Sequence, residues 1–381
     1  MSNNNITPSD FFNPDTQVAH LGLIACPGAE ELTNLIDGHL RAWAREVGIE
    51  KDTFVIDCDC PRFQSGDAKG LVKESVRGDD IFFVVDPGNY SLTYNLFGQE
   101  NHMSPDDHFA NLKRLIQAVA GRAHRMTVIM PSLYGGRQHR RVARESLDCA
   151  VALQELQSMG VQNIITFDAH DPRLMNAVPL MSFDNVMPTY QVLKTLLRKM
   201  PELSFDKDDF IVISPDEGAI NRNMYFSSVL GCNLGMFYKR RDYTRVVNGR
   251  NPIVAHEYLG ESVEGKTVFI ADDIIASGES MLEVAGELKK RGAKNIIANA
   301  TFPLFTSGVA KFDEAVREGT LTAVLGTNLT YRKPELLSRG WYFDVDCSKY
   351  CAYFVVAINH EMSVSSICDP IKKIEALLKN R

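Results

Sequence analysis

Two adjacent carboxylates closing an apolar strand, followed by a turn of small residues and the start of a helix, can hold a phosphate and a sugar together. The stretch VFIADDIIASGESMLEVAGELKKRG, from Val268 to Gly292, has this form. Asp272 and Asp273 end the strand, Ala276, Ser277, Gly278, Glu279 and Ser280 make the turn, and the helical period starts near Ser280. The N–H groups of such a turn, its hydroxyls and the positive end of the helix dipole form a cradle for one dianionic phosphate. The two carboxylates lie about a ribose length away, where they can accept from sugar hydroxyls. The G-x-x-x-x-G-K-[ST] spacing of a Walker loop is absent. Read alone, the stretch leaves open an ordinary strand-turn-helix junction that happens to carry acids. Glu279 is discordant, because two unit charges at 4 Å interact by about 1 kcal/mol in water and roughly 4 kcal/mol at an effective dielectric of 20. Its carboxylate is expected to face solvent.

Four further groups have the chemistry of anion or metal handling. PSLYGGRQHRR, from Pro131, places Arg137 beside Gln138: a planar cation that forks onto phosphate, next to an amide that reads a base edge. With Arg140, Arg141 and Arg144 this is the most basic local stretch, and a solvated helix face is its alternative reading. FYKRRDYTRVVNGRN carries Lys239, Arg240 and Arg241 where an apolar stretch gives way to a long loop, or else a surface charge run. One apolar run ends in Phe167-Asp168-Ala169-His170 and another in Ser214-Pro215-Asp216-Glu217-Gly218. An imidazole and a carboxylate at the C-terminal ends of parallel strands stand where open α/β sheets put their ligands. Oxygen-rich sites with few protein ligands suit Mg²⁺, which keeps waters and borrows substrate phosphates.

Short β-rich runs alternating with helix-period stretches must position these groups. Strands are expected at 21–25, 54–56, 81–85, 126–130, 163–167, 210–214, 267–271, 295–300 and 322–326, with helices including 107–120, 144–159, 187–199 and 281–291. The alternation implies parallel sheets with crossover helices. LQELQSMGVQNIITFDAH and AGELKKRGAKNIIANATFP echo each other, a helix ending at Gly160 or Gly292 before a strand; either duplication or common α/β grammar produces this. Polar segments at 89–106 and 248–256 read as surface loops. A flexible or loosely docked arm is expected over 1–17 and a boundary near 185–190, where a proline breaks the period.

The 381 residues suffice for two domains, and 45% hydrophobic with 23% charged is the balance of a packed globular chain, which excludes disordered and fibrous classes. Forty-one basic against 48 acidic side chains give a net charge of −7, so no chain-wide footprint for nucleic acid exists and any polyanion handled should be small. The eight cysteines show no zinc-finger spacing and read as reduced thiols. The polar N-terminus lacks a signal-peptide pattern and no 18-residue apolar run follows, so a cytoplasmic location without membrane contact is expected.

The acid pair and small-residue turn resemble the loop that binds phosphoribosyl diphosphate (PRPP) in the type I phosphoribosyltransferase fold. From about Leu21 onward the ordered motifs resemble the ribose-phosphate pyrophosphokinase family. The resemblance implies an α/β protein of two phosphoribosyltransferase-like domains, each a mostly parallel sheet flanked by helices. An ATP-side domain would span 18–188, a ribose 5-phosphate-side domain 189–345, and a segment packing back on the first domain 346–381. It implies transfer of the diphosphoryl group of ATP to the C1 hydroxyl of ribose 5-phosphate, giving PRPP and AMP. Asp216, Asp272, Asp273 and Ala276 to Ser280 would bind ribose 5-phosphate, and Arg137, Gln138 and His170 would bind ATP. His170 and Asp216 would hold Mg²⁺, while Lys239 and Arg241, with His170, would act in catalysis. PRFQSGD resembles a loop that reaches a neighbouring subunit's adenine, with Phe63 stacking and Asp67 standing for a glutamate. That sharing implies a homo-oligomer, a dimer or a hexamer built from dimers.

Several positions depart from the family pattern. Ser65 and His139 replace aspartates, Ala276 replaces an aspartate that related transferases also lack, Glu279 replaces a glycine and Phe302 a histidine. Two other readings stand beside the synthetase: a transferase that consumes PRPP, which the phosphate loop alone does not distinguish, and a non-catalytic, regulatory or nucleotide-sensing relative, which the changes at Ser65, His139, Ala276 and Glu279 favour.

Overall fold

The computed structural model describes residue 12, residues 16–241 and residues 253–379. The chain begins with β1 (Leu21–Ala25), α1 (Glu30–Glu46), a small ribbon of β2 (Cys58–Asp59) and β3 (Leu71–Val72), and β4 (Asp80–Val84). A hairpin of β5 (Thr93–Leu96) and β6 (Gln99–His102) precedes α2 (Pro105–Val119), β7 (Arg125–Ile129), α3 (Asp148–Ser158), β8 (Asn163–Phe167) and β9 (Ser182–Val186). Strands β1, β4, β7, β8 and β9 lie in that order in one sheet, every neighbouring pair parallel. A parallel sheet is covered on both faces, so its strands read as continuous apolar runs, and all five residues of β4 are buried. Asp80, which opens β4 with no exposure, is neutralised by a two-pronged contact from Arg125 (2.9 and 2.6 Å) and a hydrogen bond from Asn359 (2.9 Å).

The second unit contains α4 (Thr189–Lys199), β10 (Phe210–Ser214), α5 (Ile220–Leu230), β11 (Asn233–Arg241), β12 (Ile253–Leu259), β13 (Thr267–Ile275), α6 (Glu279–Lys290), β14 (Asn295–Pro303), α7 (Ala310–Arg317), β15 (Ala323–Thr327), α8 (Pro334–Leu337) and β16 (Tyr342–Val345). Its seven strands run β12-β11-β10-β13-β14-β15-β16, parallel except for the antiparallel β11–β12 pair. Both units are thus mostly parallel sheets with helices, the expected fold class. Both echo glycines, Gly160 and Gly292, follow helix ends with left-handed backbone (φ 94° and 86°), as a C-terminal cap requires. All eight cysteines are free. No helix among the described residues is long and apolar enough to cross a membrane.

Compact units divide at Pro188/Thr189, and the chain returns to the first unit at Asn328–Tyr331 and Asp346–Asp369. The C-terminal stretch therefore does not pack wholly on the first domain. Helix α9 (Ser348–Asn359) joins unit 1, packed on α1 through the stacked Trp43–Tyr353 pair (4.8 Å) and followed by the short α10 (Ser365–Cys368). Beyond Pro370, α11 (Ile371–Lys379) belongs to unit 2 and packs on α4 and α5, burying Ile374. Three other expectations change. The 89–106 segment contains the β5–β6 hairpin and ends in the first turn of α2, and Tyr94 and Leu96 on alternate hairpin positions meet Arg62 and Gly66 of the loop at 62–66. The 248–256 segment enters β12 at Ile253. Helix α3 starts at Asp148, not 144, with Arg140, Arg141 and Arg144 on irregular exposed chain. Of the expected arm, Phe12 is buried against Phe54 and His360; residues 1–11 and 13–15 lie outside the described residues.

Candidate active site

In unit 2 the parallel pairing of β10 with β13 sets the C-terminal ends of both strands side by side (Ile213 opposite Ile270). Asp216 lies just past β10. One of its oxygens accepts from the N–H groups of Gly218 (2.9 Å) and Ala219 (3.2 Å), which ties the carboxylate to the entry of α5. Asn223 in that helix is fully buried, donates to the carbonyls of Ala219 and Ala271 (both 2.8 Å) and accepts from Ala271 N–H (3.1 Å). This amide clamps the helix to β13 immediately before Asp272.

Asp272 accepts from Asp273 N–H (2.9 Å) and faces Arg222 of α5 at 3.6 Å. Burial first, then the neighbouring Asp273 and Asp216 carboxylates, push the Asp272 pKa well above the ordinary carboxylate range, while Arg222 opposes the shift. Three acids and one arginine therefore converge where a polyhydroxylated anion can give hydrogen bonds to the acids and take charge from the cation. The structure brings Asp216, Asp272 and Asp273 together and adds Arg222 and Asn223, which sequence reasoning missed. The one visible signal was a polar Arg-Asn pair early in an otherwise apolar-faced helix, and its partner at Ala271 is 48 residues away.

The turn follows directly. Thr306 N–H donates to Ala276 C=O (2.9 Å), and Leu304 and Phe305 N–H donate to Ile275 C=O (2.9 and 3.1 Å), fixing one wall. Gly278 caps α6 with left-handed backbone (φ 82°), and a Cβ there would sit 2.3 Å from the Phe312 ring. The helix starts at Glu279, one residue earlier than its period indicated. Glu279 points outward, as expected: its side chain is 62% exposed and pairs with Lys311 at 2.7 Å, which lowers its pKa. The backbone of Lys239 to Arg241 runs on β11, Lys239 opposite His256 and Arg241 opposite Ile253, so these positions are on a strand before any loop begins. Their side chains, and residues 242–252, lie outside the described residues.

In unit 1, Arg137 is exposed in the turn after β7, and Gln138 donates to the Ser146 carbonyl (2.9 Å). His139 lies beside His170 with ring centroids 5.2 Å apart. His170 is exposed just beyond β8, after Asp168, which holds a positive φ of 44°. His139 also stands 3.6 Å from Asp171, whose pKa the Arg173 guanidinium holds down to about 2. Phe63 is 54% exposed on a loop closed by Phe63 N–H to Asp67 C=O (2.7 Å), and Ser65 donates to the Asp67 carboxylate (2.9 Å). Both segments rest on the first turn of α2: Tyr134 donates to Asp106 (2.7 Å) and Arg62 pairs with Asp107 (3.1 Å). His170 belongs to unit 1 and Asp216 to unit 2. Among the described residues no three His, Cys, Asp or Glu side chains converge to enclose a metal ion.

Residues 22–160 match the profile of the N-terminal domain of ribose phosphate pyrophosphokinase, and residues 182–305 that of the phosphoribosyl transferase domain. A ribose-phosphate pyrophosphokinase of Burkholderia pseudomallei is 31% identical over 252 residues, covering 65% of this chain and 70% of the relative. Its counterpart in Vibrio cholerae serotype O1 is 27% identical over 317 residues, 82% of this chain and 90% of the relative. The crystal structure of phosphoribosylpyrophosphate synthetase from Mycobacterium smegmatis superposes with a TM-score of 0.70 at 21% identity, covering 90% of this chain and 99% of that one.

Proposed function

The chain belongs to the ribose-phosphate pyrophosphokinase family, and on that premise we propose that it transfers the diphosphoryl group of ATP to the C1 hydroxyl of ribose 5-phosphate. The hydroxyl oxygen forms a bond to the β-phosphorus, the bond from that phosphorus to the α,β-bridging oxygen breaks, AMP leaves, and the hydroxyl proton is lost. The observation that carries the reading is the phosphate turn of unit 2, set beside three carboxylates and Arg222, in a chain with a second fold-sized unit bearing Arg137, Gln138 and His170. A transferase that only consumes PRPP does not require that second set.

Residues 276–280 would take the 5-phosphate on backbone N–H groups and hydroxyls. Asp272 and Asp273 would accept from ribose hydroxyls, with Arg222 holding Asp272 in place. Arg137 and Gln138 would bind ATP, Phe63 and Asp67 its base, and Lys239 and Arg241 would face charge that develops on the transferring phosphates. The donor set fits Mg²⁺: the Asp216, Asp272 and Asp273 carboxylates of unit 2 offer the hard oxygen ligands that this cation takes along with waters and substrate phosphates. Asp216 in unit 2 is the proposed carboxylate ligand and His170 in unit 1 the proposed imidazole ligand, each taken within its own unit, and the ion's chemistry would be neutralising and aligning the phosphate oxygens. A cytoplasmic homo-oligomer, a dimer or a hexamer built from dimers, completes the proposal and is checked by light scattering on the pure chain.

The replacements at Ser65 and His139 favour a second reading, a nucleotide-sensing relative. The outward Glu279 removes one objection to catalysis. Incubating the pure chain with ATP, Mg²⁺ and ribose 5-phosphate while following AMP and PRPP separates the readings. Equal appearance of both supports the synthetase, whereas ATP binding without turnover overturns it in favour of the sensor.

A further inference from the structure

The hairpin β5–β6 ends in a two-residue turn, Phe97-Gly98, with both residues left-handed (φ 50° and 79°). That is the type I′ geometry, which Asn-Gly adopts readily and a phenylalanine does not. Phe97 is 84% exposed, so packing does not explain the choice of residue. The hairpin is also fastened to the loop that carries Phe63. Arg62 lies over the Tyr94 ring at 3.9 Å and donates to the Gly66 carbonyl at 2.9 Å. The side chain of Leu96 comes so close to Gly66 (φ 94°) that a Cβ there would meet it at 2.7 Å. Between loop and hairpin lies a cleft of about 570 Å³ lined by Gln64, Ser65, Asn95, Phe97 and Gly98. Small-molecule sites occupy roughly 300–1,000 Å³.

We propose that this cleft is a purine subsite in which the hairpin supplies half of the recognition, Phe97 as a stacking face and Asn95 with Gln64 as the amides that read the base edge. An exposed aromatic in a strained turn is what a base-stacking platform needs and what hairpin stability does not. A carboxamide donates and accepts at once, the pattern that pairs with the exocyclic amine and ring nitrogen of adenine. Tyr94 and Leu96 are positioning residues that hold the loop against the hairpin. The inference rests on the synthetase reading, since ATP is the purine nucleotide that this reading supplies.

The test uses the full chain, with ATP and GTP affinities measured by calorimetry alongside PRPP formation. Phe97→Asn keeps the turn in its preferred residue, so its melting temperature should equal or exceed the wild type, while its KM and Kd for ATP rise about tenfold or more and its KM for ribose 5-phosphate stays put. Asn95→Asp, which can only accept, should lower the ratio of ATP to GTP affinity by about tenfold. Unchanged ATP binding in both variants overturns the subsite. A wild type that forms no PRPP, with ATP binding still lost in Phe97→Asn, overturns the synthetase reading and leaves the subsite standing.

Discussion

Replacing Gly278 with alanine tests whether the turn before α6 has the shape that a phosphate cradle requires. Two effects add. The left-handed backbone at φ 82° costs a residue with a Cβ about 1–2 kcal/mol. The new methyl would also lie 2.3 and 2.4 Å from two ring carbons of Phe312, which has no exposure and is packed against Phe305 (4.8 Å) and Trp341 (5.9 Å), so the ring cannot yield freely. Overpacking of this kind costs about 1–3 kcal/mol. The sum is about 2–5 kcal/mol, and at about 2–4 °C per kcal/mol for a domain of this size the melting temperature should fall by about 4–20 °C. Gly286, in the same helix, is the control: a Cβ there meets nothing within 4 Å, so Gly286→Ala should stabilise by about 0.5–1 kcal/mol. Scanning calorimetry reads both, and steady-state kinetics should show the KM for ribose 5-phosphate rising about tenfold for each 1.4 kcal/mol of lost turn–phosphate interaction, with ATP affinity unchanged. A Gly278→Ala chain with wild-type stability and wild-type KM would refute the turn geometry and its role together.

Lys239→Ala should lower kcat by about 10²-fold or more with ATP affinity nearly unchanged, measured as PRPP formation against ATP binding; an unimpaired variant removes this residue from the chemistry. The raised pKa of Asp272 predicts a pH effect with a definite sign. Its carboxylate form is disfavoured in the folded protein, so the acid limb of kcat/KM for ribose 5-phosphate should lie above the ordinary carboxylate range, and Asp273→Asn should move it to lower pH by removing a neighbouring negative charge. By the same linkage the folded state binds this proton more tightly than the unfolded chain, so stability falls as pH rises through the folded pKa, and Asp272→Asn should melt a few degrees higher than wild type at neutral pH. An acid limb that does not move in Asp273→Asn contradicts the electrostatic account.

What could be read from the sequence was local. β1, β8 and β10 begin and end where the apolar runs do, because a strand buried on both faces carries its own signature over five residues. The strand-turn-helix junction at Ala276–Gly278 was equally legible, since its parts are contiguous from Thr267 to Lys290. Features that depend on distant partners were not. Arg222 matters because α5 carries it to Asp272, and Asn223 because its amide reaches Ala271 across 48 residues. The hairpin was hidden for a different reason: Phe97-Gly98 lacks the Asn-Gly signal, and its inward residues Tyr94 and Leu96 pack on a loop about thirty residues earlier in the chain rather than in a core.

The altered motif positions show how far a missing letter differs from a missing function. Where the family pattern has an aspartate after Arg-Gln, this chain has His139, which takes an acid out of the motif. In the folded chain Asp171, from the segment after β8, stands 3.6 Å from that imidazole. At the Phe63 loop, Ser65 replaces an acid but donates to Asp67, so a carboxylate remains in the loop, held two residues further on. In both places an acid stands close to the altered position, Asp171 held by Arg173 in the first and Asp67 by Ser65 in the second. The substitutions should therefore act on selectivity among nucleotides and metals before they act on turnover, the order in which kinetics with ATP and GTP, and with Mg²⁺ and Mn²⁺, would reveal them.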